Sequence, residues 1–156
     1  MALKRLQTEL KDLMKSQFSE FSCFPTQDFF KWEGVIFGPC DSPYEGGTFK
    51  FIIEFPSEYP IKPPTFKFIS KMYHPNIYID GKPCISILNQ GEDVYGYESK
   101  NERWSAISGV STILLSIINM LAEPNLESPA NVDAAKLYRE NPKEFNRMVY
   151  QTVKIS

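Results

Sequence analysis

A single histidine, His74, and three cysteines, Cys23, Cys40 and Cys84, are all that the 156 residues hold of the two residue types most used in metal sites and nucleophilic catalysis. The cysteines are odd in number and widely spaced, and they form neither a CxxC pair nor any His/Cys pattern with metal-ligand spacing. Neither a metal site nor a disulfide framework is expected, and free thiols point to a reducing compartment. Long apolar runs are missing too. The longest, Ile113 to Ala122, is broken by Ser116 and Asn119, well short of the roughly 18 to 20 apolar residues that span a bilayer. The opening segment MALKRLQTELKDLMK alternates charge with apolar residues, so no secretory signal is expected there. No sign of charge dominates: the net charge is −2 and the sequence pI about 5.5, which gives no reason to expect nucleic acid or an anionic membrane as principal partner. Internal repeats, low-complexity tracts and separable linkers are absent as well.

What is present is enough for one domain, residues 1–156, with 42% apolar residues to build a core. The expectation is a soluble protein, cytoplasmic or nuclear.

Leu3, Leu6, Leu10, Leu13 and Met14 fall on one side of a helix over residues 2–15, and Lys4, Lys11 and Lys15 on the other, with Arg5 nearby. The basic side reads either as a solvated face or as a docking surface for an acidic partner. From residue 21 to 69 the pattern shifts to short β-branched and aromatic runs. KWEGVIF, TFKFIIEF and TFKFI are predicted strands, with an earlier one near Phe21 to Phe24 and a hairpin loop at GPCDSPYEGG. Phe49, Phe51, Ile53 and Phe55 alternate with Thr48, Lys50, Ile52 and Glu54, as in a sheet with one buried face. The prolines of FPSEYPIKPP are expected to end the sheet. Residues 70–106 hold no convincing long element, and so extended a loop region is where chemistry is expected. Ile107, Val110, Ile113, Leu114, Ile117, Ile118 and Leu121 predict a central core helix ended by Glu123-Pro124-Asn125. Ser128-Pro129 and Asn141-Pro142 each read as an N-cap followed by proline at the first helical position, with Glu144 placed for a capping box.

Cys84 stands in the irregular region, either a buried structural thiol or a nucleophile. A thiol of ordinary pKa is a few per cent thiolate at neutral pH, which suffices to attack an activated acyl group without a dedicated base. His74 offers a base, but Tyr-His-Pro-Asn is a turn signal, and hydrogen bonding within that turn accounts equally for the histidine. The Asn76 amide can satisfy loop backbone groups or donate to a developing oxyanion.

Taken in order, Trp32, Gly38-Pro39, YEGG at 44–47, FPSEYPIKPP at 55–64, HPN at 74–76, Cys84, Trp104 and EPN at 123–125 resemble the ubiquitin-conjugating enzymes over nearly the whole chain. The resemblance implies an α+β fold: an N-terminal helix, a four-stranded antiparallel meander and three further helices. It implies that Cys84 accepts ubiquitin as a thioester from an activating enzyme and yields it to a protein substrate lysine or a ligase cysteine, with Asn76 supporting the oxyanion or ordering the loop, His74 organising the turn, and no metal or other cofactor. A non-catalytic ubiquitin-binding scaffold of the same fold and an enzyme for another ubiquitin-like modifier are the alternatives.

NQGEDVYGYESKNERW, between Cys84 and Trp104, resembles the active-site insertion of a subgroup associated with ER degradation and cell-cycle ubiquitination, so recruitment to the ER surface by a partner fits. Glu92 and Asp93 match its acidic positions, where they orient the acceptor lysine or ubiquitin or form a solvated loop. Asn89 stands where the subgroup has histidine. Ser128, at a position often acidic in minimal members, lines the lysine approach or serves as an N-cap. Ile61, Ser105 and Ala106 match a surface contacted by RING-type ligases, with alanine where proline often follows Trp-Ser. Lys4, Arg5 and Lys11 match the helix used by activating enzymes.

Overall fold

The computed structural model describes residues 1–90 and 103–156. Helix α1 (Ala2–Ser16) leads into four strands, β1 (Phe21–Pro25), β2 (Lys31–Phe37), β3 (Thr48–Glu54) and β4 (Thr65–Phe68), followed by α2 (Val110–Ala122), α3 (Val132–Glu140) and α4 (Pro142–Ile155). This is the α+β order expected from the sequence. The strands form an antiparallel meander in the order β1-β2-β3-β4, and the β2–β3 register, with Phe37 opposite Thr48 and Trp32 opposite Ile53, makes residues 38–47 the hairpin loop.

Strand periodicity decides the buried face. Phe49, Phe51 and Ile53 of β3 are buried while Lys50 and Glu54 between and beyond them are exposed, and Trp32, Ile36, Phe66 and Phe68 join the same apolar cluster. Helix α2 closes that cluster with Val110, Ile113, Leu114, Ile117, Met120 and Leu121. A run as apolar as α2 is stable only when covered on most sides, so its position under the sheet follows from its composition.

Three boundaries and one capping bond differ from the sequence reading. The prolines of FPSEYPIKPP do not end the sheet; they make the β3–β4 connection, whose turns close through Tyr59 N–H to the Pro56 carbonyl and Ile61 N–H to the Glu58 carbonyl, and β4 resumes pairing with β3. Ile107 lies outside α2 and is 90% exposed, because the helix begins only after Gly109. Ser128 is not an N-cap: Asn131 caps α3, its side chain accepting from the Ala134 amide, after the Ala130 and Asn131 amides have been taken by the Pro75 carbonyl. Asn141 does cap α4 with Pro142 at its first position, but Glu144 pairs with Arg147 instead of completing a capping box, since the Asn141 amide already donates to Leu137.

On α1, Leu6 is fully buried and Leu10 and Leu13 pack against the core, whereas Leu3 and Met14, at the edge of the stripe, stay 48% and 63% exposed. Burying one leucine contributes about 1.5–3 kcal/mol, so Leu6 is the main apolar anchor of this peripheral helix.

Candidate active site

The HPN turn is the junction from which the site is built. The Asn76 amide donates to His74 Nδ1 at 2.9 Å, which leaves the ring proton on Nε2, 2.8 Å from the Met120 carbonyl at the end of α2. Both nitrogens of His74 are thereby engaged and the ring is buried. Burial holds its pKa down at about 4 and outweighs the bond to Met120, which acts in the opposite direction. The Tyr44 hydroxyl, from the YEGG loop, donates to the Tyr73 carbonyl at 2.5 Å and so braces the entry to the turn.

Asn76 faces the opposite way. Its Nδ2 donates to the carbonyls of Asn125 and Ser128 at 2.7 and 3.0 Å, and its Oδ1 accepts from the Asn125 amide at 2.8 Å. Both amide hydrogens are used, so in this conformation the side chain orders residues 125–128 and holds no donor free for an oxyanion. Pro75, between the two, binds the segment ahead of α3 through its carbonyl.

Cys84 is delivered by a small hairpin. Ile77 bridges Pro83, the Tyr78 amide donates to the Lys82 carbonyl, and Gly81 turns the chain at φ +97, where the Phe68 carbonyl would lie 2.2 Å from any added Cβ. The Cys84 amide then donates to the Asn76 carbonyl at 2.7 Å. A single 3₁₀ turn, Ser86–Leu88, follows.

Cys84 and Asn76 share an open groove of about 940 Å³ with Asn89, Asn119, Glu127 and Ser128. The sequence reading assigns no site role to Asn119, Asn125 or Glu127; EPN serves there as a helix stop and as one of the family motifs, and its tie to Asn76 crosses 49 positions. Cys23 is buried in β1, its thiol pushed up to about 12 by desolvation, and Cys40 lies exposed on the hairpin loop. Neither lines the groove. Among the described residues no three His, Cys, Asp or Glu side chains gather as a metal site, and no helix is long and apolar enough to cross a membrane.

The remaining sequence-predicted residues divide. Glu92 and Asp93 lie outside the described residues. Lys4 and Lys11 are exposed on α1. Arg5 turns inward, its guanidinium donating to Glu9 and to the carbonyls of Ala106 and Ser108 at 2.8 and 2.7 Å; it lies about 100° round the helix from Lys4, toward the packed side. Ile61 is 57% exposed and Ser105 exposed, on two loops joined by the Trp104 indole, which donates to the Pro60 carbonyl at 2.8 Å.

Comparison with known proteins agrees with this geometry. The sequence matches the family Ubiquitin-conjugating enzyme over residues 5–153. It is 51% identical to "Probable ubiquitin-conjugating enzyme E2 7" of Caenorhabditis elegans, over 97% of this chain and 94% of that protein. It is 50% identical to "Ubiquitin-conjugating enzyme E2 14" of Arabidopsis thaliana, over 97% and 92%, and 48% identical to human "Ubiquitin-conjugating enzyme E2 G2", over 99% and 96%. An order of elements that places a free cysteine beside an HPN turn, together with relatedness along nearly the whole length, leads to one statement: the chain belongs to the ubiquitin-conjugating enzymes.

Proposed function

We propose that Cys84 is the acyl carrier of this ubiquitin-conjugating enzyme. Its thiolate attacks the thioester carbonyl joining ubiquitin to the activating enzyme; that enzyme's thiolate leaves and ubiquitin becomes esterified to Sγ. A lysine amine of a substrate, or of another ubiquitin, then attacks the new thioester, losing a proton to water as an isopeptide bond forms and the Cys84 thiolate departs. The observation that carries this reading is that Cys84, alone among three cysteines, lines the groove, with its backbone held by Asn76. His74 has no free ring nitrogen, so the thiol works without a histidine base, as an activated acyl donor permits.

In this reading Asn76 is a positioning residue that shapes the groove wall, and Ser128, whose carbonyl it holds, lies on the lysine approach. Glu92 and Asp93 belong to an acidic insertion of the ER-degradation and cell-cycle subgroup and orient the acceptor. A RING-type ligase docks on Ile61, Ser105 and Ala106, and the activating enzyme meets the Lys4 and Lys11 face. A cytoplasmic or nuclear location, with recruitment to the ER surface by a partner, goes with that subgroup.

Charging with activating enzyme, ATP and ubiquitin tests the core of the proposal. The expected adduct is cleaved by reductant, is lost in Cys84→Ala and persists in Cys23→Ala and Cys40→Ala. Absence of any adduct with ubiquitin, alongside charging by a different ubiquitin-like modifier, overturns the ubiquitin assignment; absence with every modifier returns the chain to a binding role.

A further inference from the structure

Glu9, one turn beyond Arg5 on α1, is the acceptor at the meeting point of three segments. Its Oε1 accepts from the Val110 amide, the first residue of α2, at 2.7 Å. Its Oε2 accepts from Arg5 Nε at 3.1 Å and from the Tyr59 hydroxyl. The carboxylate therefore caps α2 from another element, at the helix end where negative charge is favoured. Gly109 permits the approach, since a Cβ there would stand 2.5 Å from Glu9 Oε1.

Two of the donors on Glu9 lead to loops of the proposed ligase surface, and the third to the helix beneath Cys84. Arg5 continues to the Ala106 and Ser108 carbonyls, gripping the segment that exposes Ser105 and Ile107. Tyr59 precedes Pro60 and the exposed Ile61, and its ring packs on Trp104, whose indole binds the Pro60 carbonyl. Val110 begins the helix whose later residues, Thr112, Ser116, Asn119 and Met120, line the Cys84 groove. One carboxylate thus joins the bases of both surface loops to the helix that floors the site.

We propose that Glu9 is a positioning residue for ligase-stimulated transfer: it fixes the two surface loops and the start of α2 as one unit, so that a partner gripping the loops acts on the groove. The proposal rests on the reading of Ile61, Ser105 and Ala106 as the ligase surface. Without the carboxylate, the Val110 amide and the buried Tyr59 hydroxyl lose their acceptor and Arg5 its counter-charge, and the loops and helix are free to shift separately.

The test is the ratio of discharge rates from charged protein to free lysine with and without a RING-type ligase domain. Glu9→Ala removes the acceptor, and Gly109→Ala pushes the carboxylate away from the opposite side. Both are expected to charge at the normal rate, to discharge normally without ligase, and to lose about five-fold or more of the stimulation, the lower end of ordinary couplings between sites. A merely structural role would lower all three rates together. An unchanged ratio in both variants, or an equal fall in all three rates, overturns the proposal. Ile61→Ala separates this from the underlying reading: if it abolishes stimulation while the Glu9 and Gly109 variants keep it, the surface stands and the role of Glu9 falls; if all three variants keep it, the surface reading falls too.

Discussion

The Cys84 amide donates to the Asn76 carbonyl at 2.7 Å, so Cys84 is tied through backbone to the residue whose side chain clamps Asn125 and Ser128. The tie makes Asn76 the link between the cysteine and the opposite wall of the groove. Asn76→Ala breaks three part-buried bonds to backbone groups of Asn125 and Ser128, at a cost of about 1–3 kcal/mol for each group that water cannot reach. The expected result is a lower urea midpoint, charging that is nearly retained, and slowed discharge to lysine. A residue acting only as an oxyanion donor would slow discharge with stability unchanged. Asn76→Asp tests the donor half specifically, because it keeps the Oδ acceptor for the Asn125 amide while losing both Nδ2 hydrogens.

The three thiols should separate by chemistry alone. Cys23 is buried and its pKa stands at about 12, so alkylation at pH 8 should spare it in the folded protein. Cys40 is exposed and Cys84 half-buried, and both are expected to react. Mass spectrometry after limited iodoacetamide treatment should show two modifications, rising to three only on unfolding. Early labelling of Cys23 would mean that β1 opens far more readily than its pairing with β2 implies.

Much of this arrangement was legible beforehand, and the parts that were not share a cause. Strand β3, Thr48–Glu54, follows from alternation and β2, Lys31–Phe37, from its β-branched and aromatic run, both of which are local. The cap at Asn141 also follows from neighbours in sequence. Ser128 misled because Asn131, three residues on, is an equally good cap, and only the Pro75 carbonyl, far away in sequence, decides between them. Arg5 misled in the same way: its charge suggested an outward face, and only the Ala106 and Ser108 carbonyls reveal where its donors go. Cys84 and Asn76 could be singled out from the sequence, but the engagement of every polar atom of the Asn76 side chain could not.

The division on α1 gives opposite expectations for neighbouring cations. Arg5→Ala removes charge-assisted bonds to Glu9, Ala106 and Ser108 from a side chain that is 28% exposed, and should destabilise the fold by about 2–3 kcal/mol. The double variant Lys4→Ala, Lys11→Ala should leave the melting temperature unchanged. If the lysine face meets the activating enzyme, that variant instead slows charging, with the difference from wild type shrinking as salt is added. Unchanged charging at low ionic strength would remove the lysines from that contact.

His74 is the chain's only histidine, so its titration is a single unambiguous NMR signal. Its folded pKa of about 4 lies below the ordinary value of 6.5, with burial as the main cause. The unfolded chain therefore takes up a proton that the folded chain refuses between those values, and stability falls as pH drops from about 6.5 toward 4. The full effect is about 3 kcal/mol, present at pH 7 and lost on acidification. In His74→Gln the protein should be less stable at pH 7 yet flatter across the upper part of that window, as followed by urea midpoint. The same depressed pKa bears on mechanism. A general base titrating near neutrality would put a limb into the rate profile for discharge between pH 6 and 8, whereas a neutral ring bonded at both nitrogens puts none there. A histidine signal moving near pH 6.5 in the folded protein, matched by a step in discharge at the same pH, would restore His74 as the base and overturn the reading of Cys84 as a nucleophile that works alone.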